Sequence, residues 1–158
     1  MGTPTAGNQP YAKKAVDIFF SPESANDFPV AMQASFKYSV LYMITKYGFL
    51  YIYDVDSAVC IFMNRISSET VFVTAPHEST SGILGVNRLG KVLSITIDDE
   101  TIVNYVNNTL KNPELAYKLA LRSNLPGADQ LFINRFNGLF QTGSYLEAAK
   151  VSASSPSK

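Results

Sequence analysis

From residue 28 to residue 97 the apolar positions fall in short, nearly continuous runs, each closed by a polar or glycine turn. Residues 28–35, 38–45, 49–54 and 58–64 make one set of strand candidates, and residues 71–75, 82–87 and 91–97 make a second. Val, Ile, Leu, Tyr, Phe and Met fill these runs with little alternation, as expected of strands covered on both faces. Residues 15–20 (AVDIFF) predict a further short strand, and residues 21–27 (SPESAND) a turn-rich connector. The first dozen residues, rich in Gly, Pro, Thr and Asn, predict a loop.

At Asp98 the apolar period changes from two to that of a helix. Ile102, Val103, Val106 and Leu110 form one stripe, and the acidic run Asp98, Asp99 and Glu100 stands where it would suit the helix dipole. Asn112 and Pro113 predict the cap and first turn of a second helix that buries Leu115, Ala116, Leu119 and Ala120 and ends at residues 125–127 (LPG). A third helix carries Leu131, Phe132, Phe136, Leu139 and Phe140 on one side and breaks at Gly143. Ser144 and Glu147 stand in capping-box positions for a fourth, in which Ala148 and Ala149 predict close helix packing. The Ser-rich end, residues 152–158, is expected to fray. One such helical hairpin cannot bury its own face, so a solenoid-like array is expected to continue past Lys158.

The strand region also repeats itself. Residues 41–51 (LYMITKYGFLY) align with residues 83–93 (ILGVNRLGKVL) at an offset of 42, pairing Thr45 with Asn87, Lys46 with Arg88 and Gly48 with Gly90. In each copy an apolar run passes a polar and a basic residue, turns at a glycine and resumes as a strand, a hairpin in which glycine supplies the positive φ. A repeat of about 40 to 45 residues carrying several short strands marks a WD40-like propeller blade. A closed ring needs about 4 to 8 blades, and there is room here for about two. The predicted class is therefore β then α: residues 1–27 as loop and outer strand of a preceding blade, 28–69 as a blade, 70–97 as a final incomplete blade and 98–158 as helical zigzag. Because rings commonly close with a strand from the far chain end, the strand missing from the second blade is expected upstream of Met1.

Charge and composition narrow the function. Lys plus Arg equals Asp plus Glu, 13 each, with no basic concentration beyond Lys13 and Lys14, so no nucleic-acid footprint is visible and protein partners are expected. The single cysteine, Cys60, excludes an internal disulfide and fits a buried small hydrophobe in a reducing compartment. No apolar run reaches the roughly 18 to 20 residues of a membrane span, and residues 1–8 lack a signal-peptide core, which predicts a cytosolic protein.

Candidate chemistry is sparse. His77, beside Pro76 and Glu78 in an expected loop, has no metal-ligating companions and predicts a surface or loop-ordering role. The Asp98–Glu100 acids predict capping better than catalysis. Residues 107–109 (NNT) match a glycosylation acceptor but fall within a predicted helix. Tyr38, Tyr42, Tyr47, Tyr51 and Tyr53 lack basic interleaving and are expected to fill blade interfaces rather than stack bases. With neither a phosphate loop nor a second histidine, no catalytic residue, metal ligand or cofactor is predicted.

Residues 2–10 (GTPTAGNQP), 26–33 (NDFPVAMQ), 44–48 (ITKYG), 63–66 (MNRI), 73–78 (VTAPHE), 85–88 (GVNR) and 147–151 (EAAKV) resemble the clathrin heavy chain family, over the end of its propeller and its first linker helices. The resemblance implies a seven-bladed propeller leading into an α-helical zigzag, a structural role in coated vesicles and endocytosis, and no catalysis. It implies adaptor and accessory proteins and other clathrin chains as partners, membrane contact only through adaptors, and a cytoplasmic location on coated pits and vesicles of the plasma membrane and trans-Golgi network. The resemblance implies that the family's main adaptor groove lies between its first two blades, to which no position of this sequence corresponds, and that the long leg, the light-chain-binding region and the trimerisation end have no counterpart here either. No peptide-binding residue can therefore be carried over. The groove between the two blades present is a further expected docking place for an extended peptide. The alternatives are a propeller-plus-solenoid scaffold of another assembly, or a truncated product without independent function.

Overall fold

The computed structural model describes residues 13–153, and of Ser152 the backbone alone. Four antiparallel strands, β1 (Pro29–Ser35), β2 (Val40–Thr45), β3 (Phe49–Asp54) and β4 (Cys60–Arg65), form a sheet in sequence order. A second sheet holds β5 (Val71–His77), β6 (Gly82–Asn87) and β7 (Val92–Ile95), also in order. Four strands followed by three is the meander expected of one full blade and one lacking its last strand.

The repeat persists as identical hydrogen bonding. Gly48, at φ 82°, donates its amide to the Thr45 carbonyl at 3.0 Å, and Gly90, at φ 76°, donates to that of Asn87 at 2.9 Å. The Thr45 hydroxyl then accepts from Phe49 N at 3.1 Å, and Asn87 Oδ1 accepts from Lys91 N at 3.0 Å. Both polar side chains are buried, so each answers an amide the turn would otherwise strand. Lys46 N bonds the Phe28 carbonyl and Arg88 N that of Thr70, extending the correspondence to the start of each unit. The copies part at the missing strand. Beyond β4, Ile66 N and Ser67 N close onto the Gly48 carbonyl at 2.8 and 3.2 Å, whereas a Cβ on Gly90 would meet nothing within 4 Å.

Most of the buried apolar residues form one core shared by sheets and helices. Val40, Tyr42 and Ile44 of β2 join Leu50, Ile52, Ile61, Val71 and Ile83, and Val103, Val106, Leu115 and Leu119 complete it. Leu41 and Met43 face the other way, against Val16 and Ile18. That is why β2 reads as an unbroken apolar run.

Several expectations are corrected. Residues 15–20 are no strand: the segment packs across the sheet face, where Phe19 O accepts from the Tyr51 hydroxyl at 3.0 Å and Phe20 meets the Tyr51 ring edge-on. Its strand-like composition finds apolar cover there but no neighbouring backbone ladder. Pro76 and His77 belong to β5 rather than to a loop, on an edge strand where a proline costs no ladder bond. The first helix is shorter than its stripe suggests. One turn, α1 (Ile102–Asn104), widens into a π turn over Tyr105–Thr109 closed by Leu110 N on the Tyr105 carbonyl at 3.2 Å.

Helix α2 (Pro113–Arg122) starts as the sequence predicts: Asn112 Oδ1 accepts from Leu115 N at 3.0 Å, with Pro113 in the first turn. Helices α3 (Ala128–Gln141) and α4 (Tyr145–Ala153) follow. No residue of α3 is fully buried, and its Phe132, Phe136 and Phe140 rings stack in a half-exposed ladder that ends edge-on at Tyr145. In α4 Ala148 is buried, but Ala149, expected beside it in the packing, is exposed. The loop expected for residues 1–12 and the frayed end, residues 154–158, lie outside the described residues.

Candidate functional site

Among the described residues, two open grooves run between the sheets. The larger, about 530 Å³, is walled by Leu50, Ile52, Ile61 and Phe62 of the first sheet, Ile95 and Ile97 at β7, and Ile102 and Tyr105 of the helical segment. Its walls are mainly apolar, with Ser94, Thr96, Asp98 and Thr101 among them, and β7 lines it with an edge that pairs with no strand among the described residues. Such a place offers an extended chain backbone hydrogen bonds along the edge and pockets for alternate apolar side chains. The smaller, about 310 Å³, lies between the β1–β2 turn and the β5–β6 hairpin. Phe36 projects at its rim, 97 % exposed, and the buried Ser35 hydroxyl on its wall meets no hydrogen-bond partner among the described residues.

A polar cluster fastens the helices to the first sheet. The Arg122 guanidinium, at the end of α2, donates to the Tyr38 carbonyl at 2.8 Å and to Asp56 Oδ2 at 2.8 Å, and makes a closer bond to Asp54 Oδ1. Asp54 is fully buried; burial acts to raise its pKa, but bonds from the Ser57 hydroxyl and amide and from Arg122 outweigh it and hold the carboxyl below the usual range. At the other end of the helical segment, Asp99 accepts from Lys37 Nζ at 2.7 Å and from the Tyr38 hydroxyl at 2.5 Å. The bond from Lys37 and then that from Tyr38 lower the Asp99 pKa. Of the three acids expected to cap a helix, Asp99 instead binds the blade, while Asp98 Oδ1 only closes a local turn onto Glu100 N at 2.9 Å.

The other residues singled out by sequence stay apart. His77 Nδ1 lies 2.8 Å from the Thr80 hydroxyl and Nε2 3.2 Å from that of Ser79, so the ring orders its own hairpin. Cys60, half-buried, donates its thiol to the Phe62 carbonyl at 3.3 Å, and burial raises its pKa. Asn107 and Thr109 sit in the π turn. Tyr38, Tyr42 and Tyr51 are core residues, and Tyr53 stacks on Tyr51 with centroids 6.3 Å apart, while Tyr47 is half-buried. Among the described residues, no group of three or more His, Cys, Asp and Glu side chains is placed to hold a metal ion, and no helix is long and apolar enough to cross a membrane. Sequence reading missed Arg122, whose one faint signal was a basic residue in the last turn of a helix, where the dipole alone explains it.

Three family models match end to end along this architecture: the clathrin propeller repeat over residues 64–98, the clathrin heavy-chain linker over 99–122 and the clathrin-H-link over 124–158. The chain is 62 % identical to human clathrin heavy chain 2 and 60 % identical to the Drosophila melanogaster clathrin heavy chain, in each case over 99 % of its own length. The chain belongs to the clathrin heavy chain family. Similarity reaches distant relatives, with 54 % identity to the Dictyostelium discoideum clathrin heavy chain over 92 % of this chain. The chain spans about a tenth of the length of these curated relatives, 10 % of the human protein and 9 % of the other two. The resemblance read from short motifs is thus confirmed across sheets and helices alike. The boundaries of the clathrin linker model fall on Asp99 and Arg122, the two residues that fasten the helical segment to the blade.

Proposed function

We propose that this chain is a structural component of the clathrin coat, acting in vesicle-mediated intracellular protein transport and endocytosis. The observation that carries the reading is the succession of propeller repeat, linker and H-link along one chain at 62 % and 60 % identity to the human and Drosophila relatives. The role is one of surfaces and leverage rather than catalysis. Its partners are adaptor proteins and other clathrin chains, and its place is the cytoplasmic face of coated pits and vesicles, reached through adaptors. Co-sedimentation with clathrin coats assembled in vitro tests this: retention in the cages is expected. Exclusion under assembly conditions would favour a propeller-and-helix scaffold of another assembly.

Within that role, the larger inter-sheet groove takes an extended adaptor segment with apolar anchors. The favouring observation is the coincidence of an isoleucine-rich wall with the open edge of β7. Titration of adaptor-tail peptides onto the chain is expected to give a saturable signal that an Ile95→Asp substitution on the half-buried β7 wall abolishes without loss of the cooperative melt. A linear, non-saturating response would remove the groove from the proposal and leave the coat role standing.

A further inference from the structure

The segment 99–122 touches the first sheet at both of its ends, and both ends land on one turn. Asp99 grips Lys37 Nζ and the Tyr38 hydroxyl, while Arg122 grips the Tyr38 carbonyl together with Asp54 and Asp56. Tyr38 is 2 % exposed. One immobile residue therefore offers its hydroxyl to the start of the segment and its backbone to the end. Between these points Val103, Val106, Leu115, Ala116, Leu119 and Ala120 lie in the common core.

Apolar packing of that kind resists separation but tolerates rotation and sliding, because it has no directional requirement. Charged hydrogen bonds do have one. A single polar contact would leave the segment free to swing about it, whereas two contacts on the same rigid turn fix both position and angle. The guanidinium is further confined: it is mostly buried, and its Nε meets no acceptor among the described residues, so its orientation is set by the contacts of the two terminal nitrogens. Past Arg122 the charged ties to the first sheet end and packing takes over: Leu125 is still buried in the common core, and Arg135 of α3 lies over the Tyr117 ring of α2 at 5.6 Å. The backbone takes left-handed values at Asn124 (φ 50°) and Gly127 (φ 92°), and α3 reaches the core through Ala128 and Leu131 without burying a residue fully.

We propose that residues 99–122 are a staple, closed at both ends on the Lys37–Tyr38 turn, so that the propeller blade sets the direction in which the following helices depart. The segment 99–122 is then part of the propeller's rigid body, and angular freedom begins only beyond Leu125, the last buried core residue before α3. This property belongs to the chain itself and stands whatever coat the chain enters.

The test is a distance measurement between spin labels at Ser68→Cys and Lys118→Cys, both exposed, in the whole chain with Cys60→Ser. A single narrow distribution is expected with the staple intact. Combining Asp99→Asn with Arg122→Gln is expected to add a second, longer-distance population, and Arg122→Lys, which keeps the charge but not the fork, to restore the narrow one only in part. An unchanged narrow distribution in a folded double variant overturns the proposal. Should that variant fail to fold, hydrogen exchange of the unaltered chain decides: amides of α2 opening together with those of β2 and β3 support the staple, and α2 opening alone and faster overturns it.

Discussion

Arg122 and Asp54 stand 68 positions apart in the chain and meet as an ion pair whose carboxylate side chain is 1 % exposed. Ser57 binds the same carboxylate through its amide at 2.7 Å and its hydroxyl at 2.5 Å. A buried pair of this kind is costly to break from one side, because the survivor is left charged and unpaired. Arg122→Met is therefore expected to lower unfolding free energy by ~3–5 kcal/mol. Arg122→Lys, which keeps charge but loses the fork that spans Asp54, Asp56 and Tyr38, should recover only part of that. Urea unfolding with a double-mutant cycle against Asp54→Asn checks both, and additive effects would show the two residues to be uncoupled.

The pair also fixes an acid limb. Burial raises the Asp54 pKa, the Ser57 and Arg122 bonds lower it more, and the net position is below the ordinary value. The folded state thus holds fewer protons than the unfolded state between those two values. Its contribution is complete above about pH 4, the ordinary aspartate pKa, and is lost as pH falls through the depressed folded value. Stability measured below pH about 4 should therefore fall less steeply in Asp54→Asn than in the parent chain. An identical acid limb in both would contradict the account.

At the alkaline end the sign reverses. Burial pushes the Tyr53 phenol up to about 12, with the neighbouring Cys60 and Tyr51 adding to the shift, and Tyr42 is raised further still. The folded chain keeps protons that the unfolded chain releases near pH 10. Stability is therefore complete below pH about 10 and declines as pH rises toward the folded values. Ultraviolet titration should show Tyr42 ionising only with unfolding, and Tyr42→Phe should flatten the alkaline decline.

The two repeat glycines are expected to differ. Both require positive φ, which costs an alanine about 1–2 kcal/mol. At Gly90 that is the whole penalty, since an added Cβ meets nothing within 4 Å. At Gly48 the Cβ would stand 2.1 Å from the Ser67 carbonyl oxygen, because the chain leaving β4 crosses there. Gly48→Ala must displace backbone and should lose clearly more stability than Gly90→Ala in paired urea melts. Equal losses would show that the crossing gives way easily.

What was legible in the sequence was local. Thr45 and Asn87, Lys46 and Arg88, Gly48 and Gly90 stand at one offset, and the same bonds recur because each turn needs a polar acceptor and a left-handed residue within a few positions. The Asn112 cap is local in the same way. The staple was not legible. Asp99 satisfies the pattern of a helix-start acid and Arg122 that of a helix-end base, so the one-dimensional signal was already accounted for while the partners lay far off at Tyr38 and Asp54. Residues 15–20 have strand composition, but a strand also needs a neighbouring backbone, which composition does not reveal. The π turn leaves an apolar stripe unbroken, and so it passed for a regular helix.

Exposed apolar surface sets the last expectation. Phe36 in the β1–β2 turn is 97 % exposed, and Leu146 of α4, Phe19 before β1, Leu89 in the β6–β7 turn, and Met32 and Val92 on the edge strands β1 and β7 are exposed as well. Charged residues make up 16 % of the chain, against the roughly 25 % usual for soluble domains, so little like-charge repulsion opposes contact. The chain alone in solution should therefore self-associate, through unpaired strand edges and apolar faces together. Light scattering should report a mass that rises with concentration, with binding of an apolar dye at low concentration that falls as association proceeds. Introducing lysine at Val92, on the open edge, should reduce the association without lowering the melting temperature, since that side chain is 69 % exposed. A parent chain that stays monomeric and binds no dye would mean that these edges and faces are less accessible in solution than their exposure indicates.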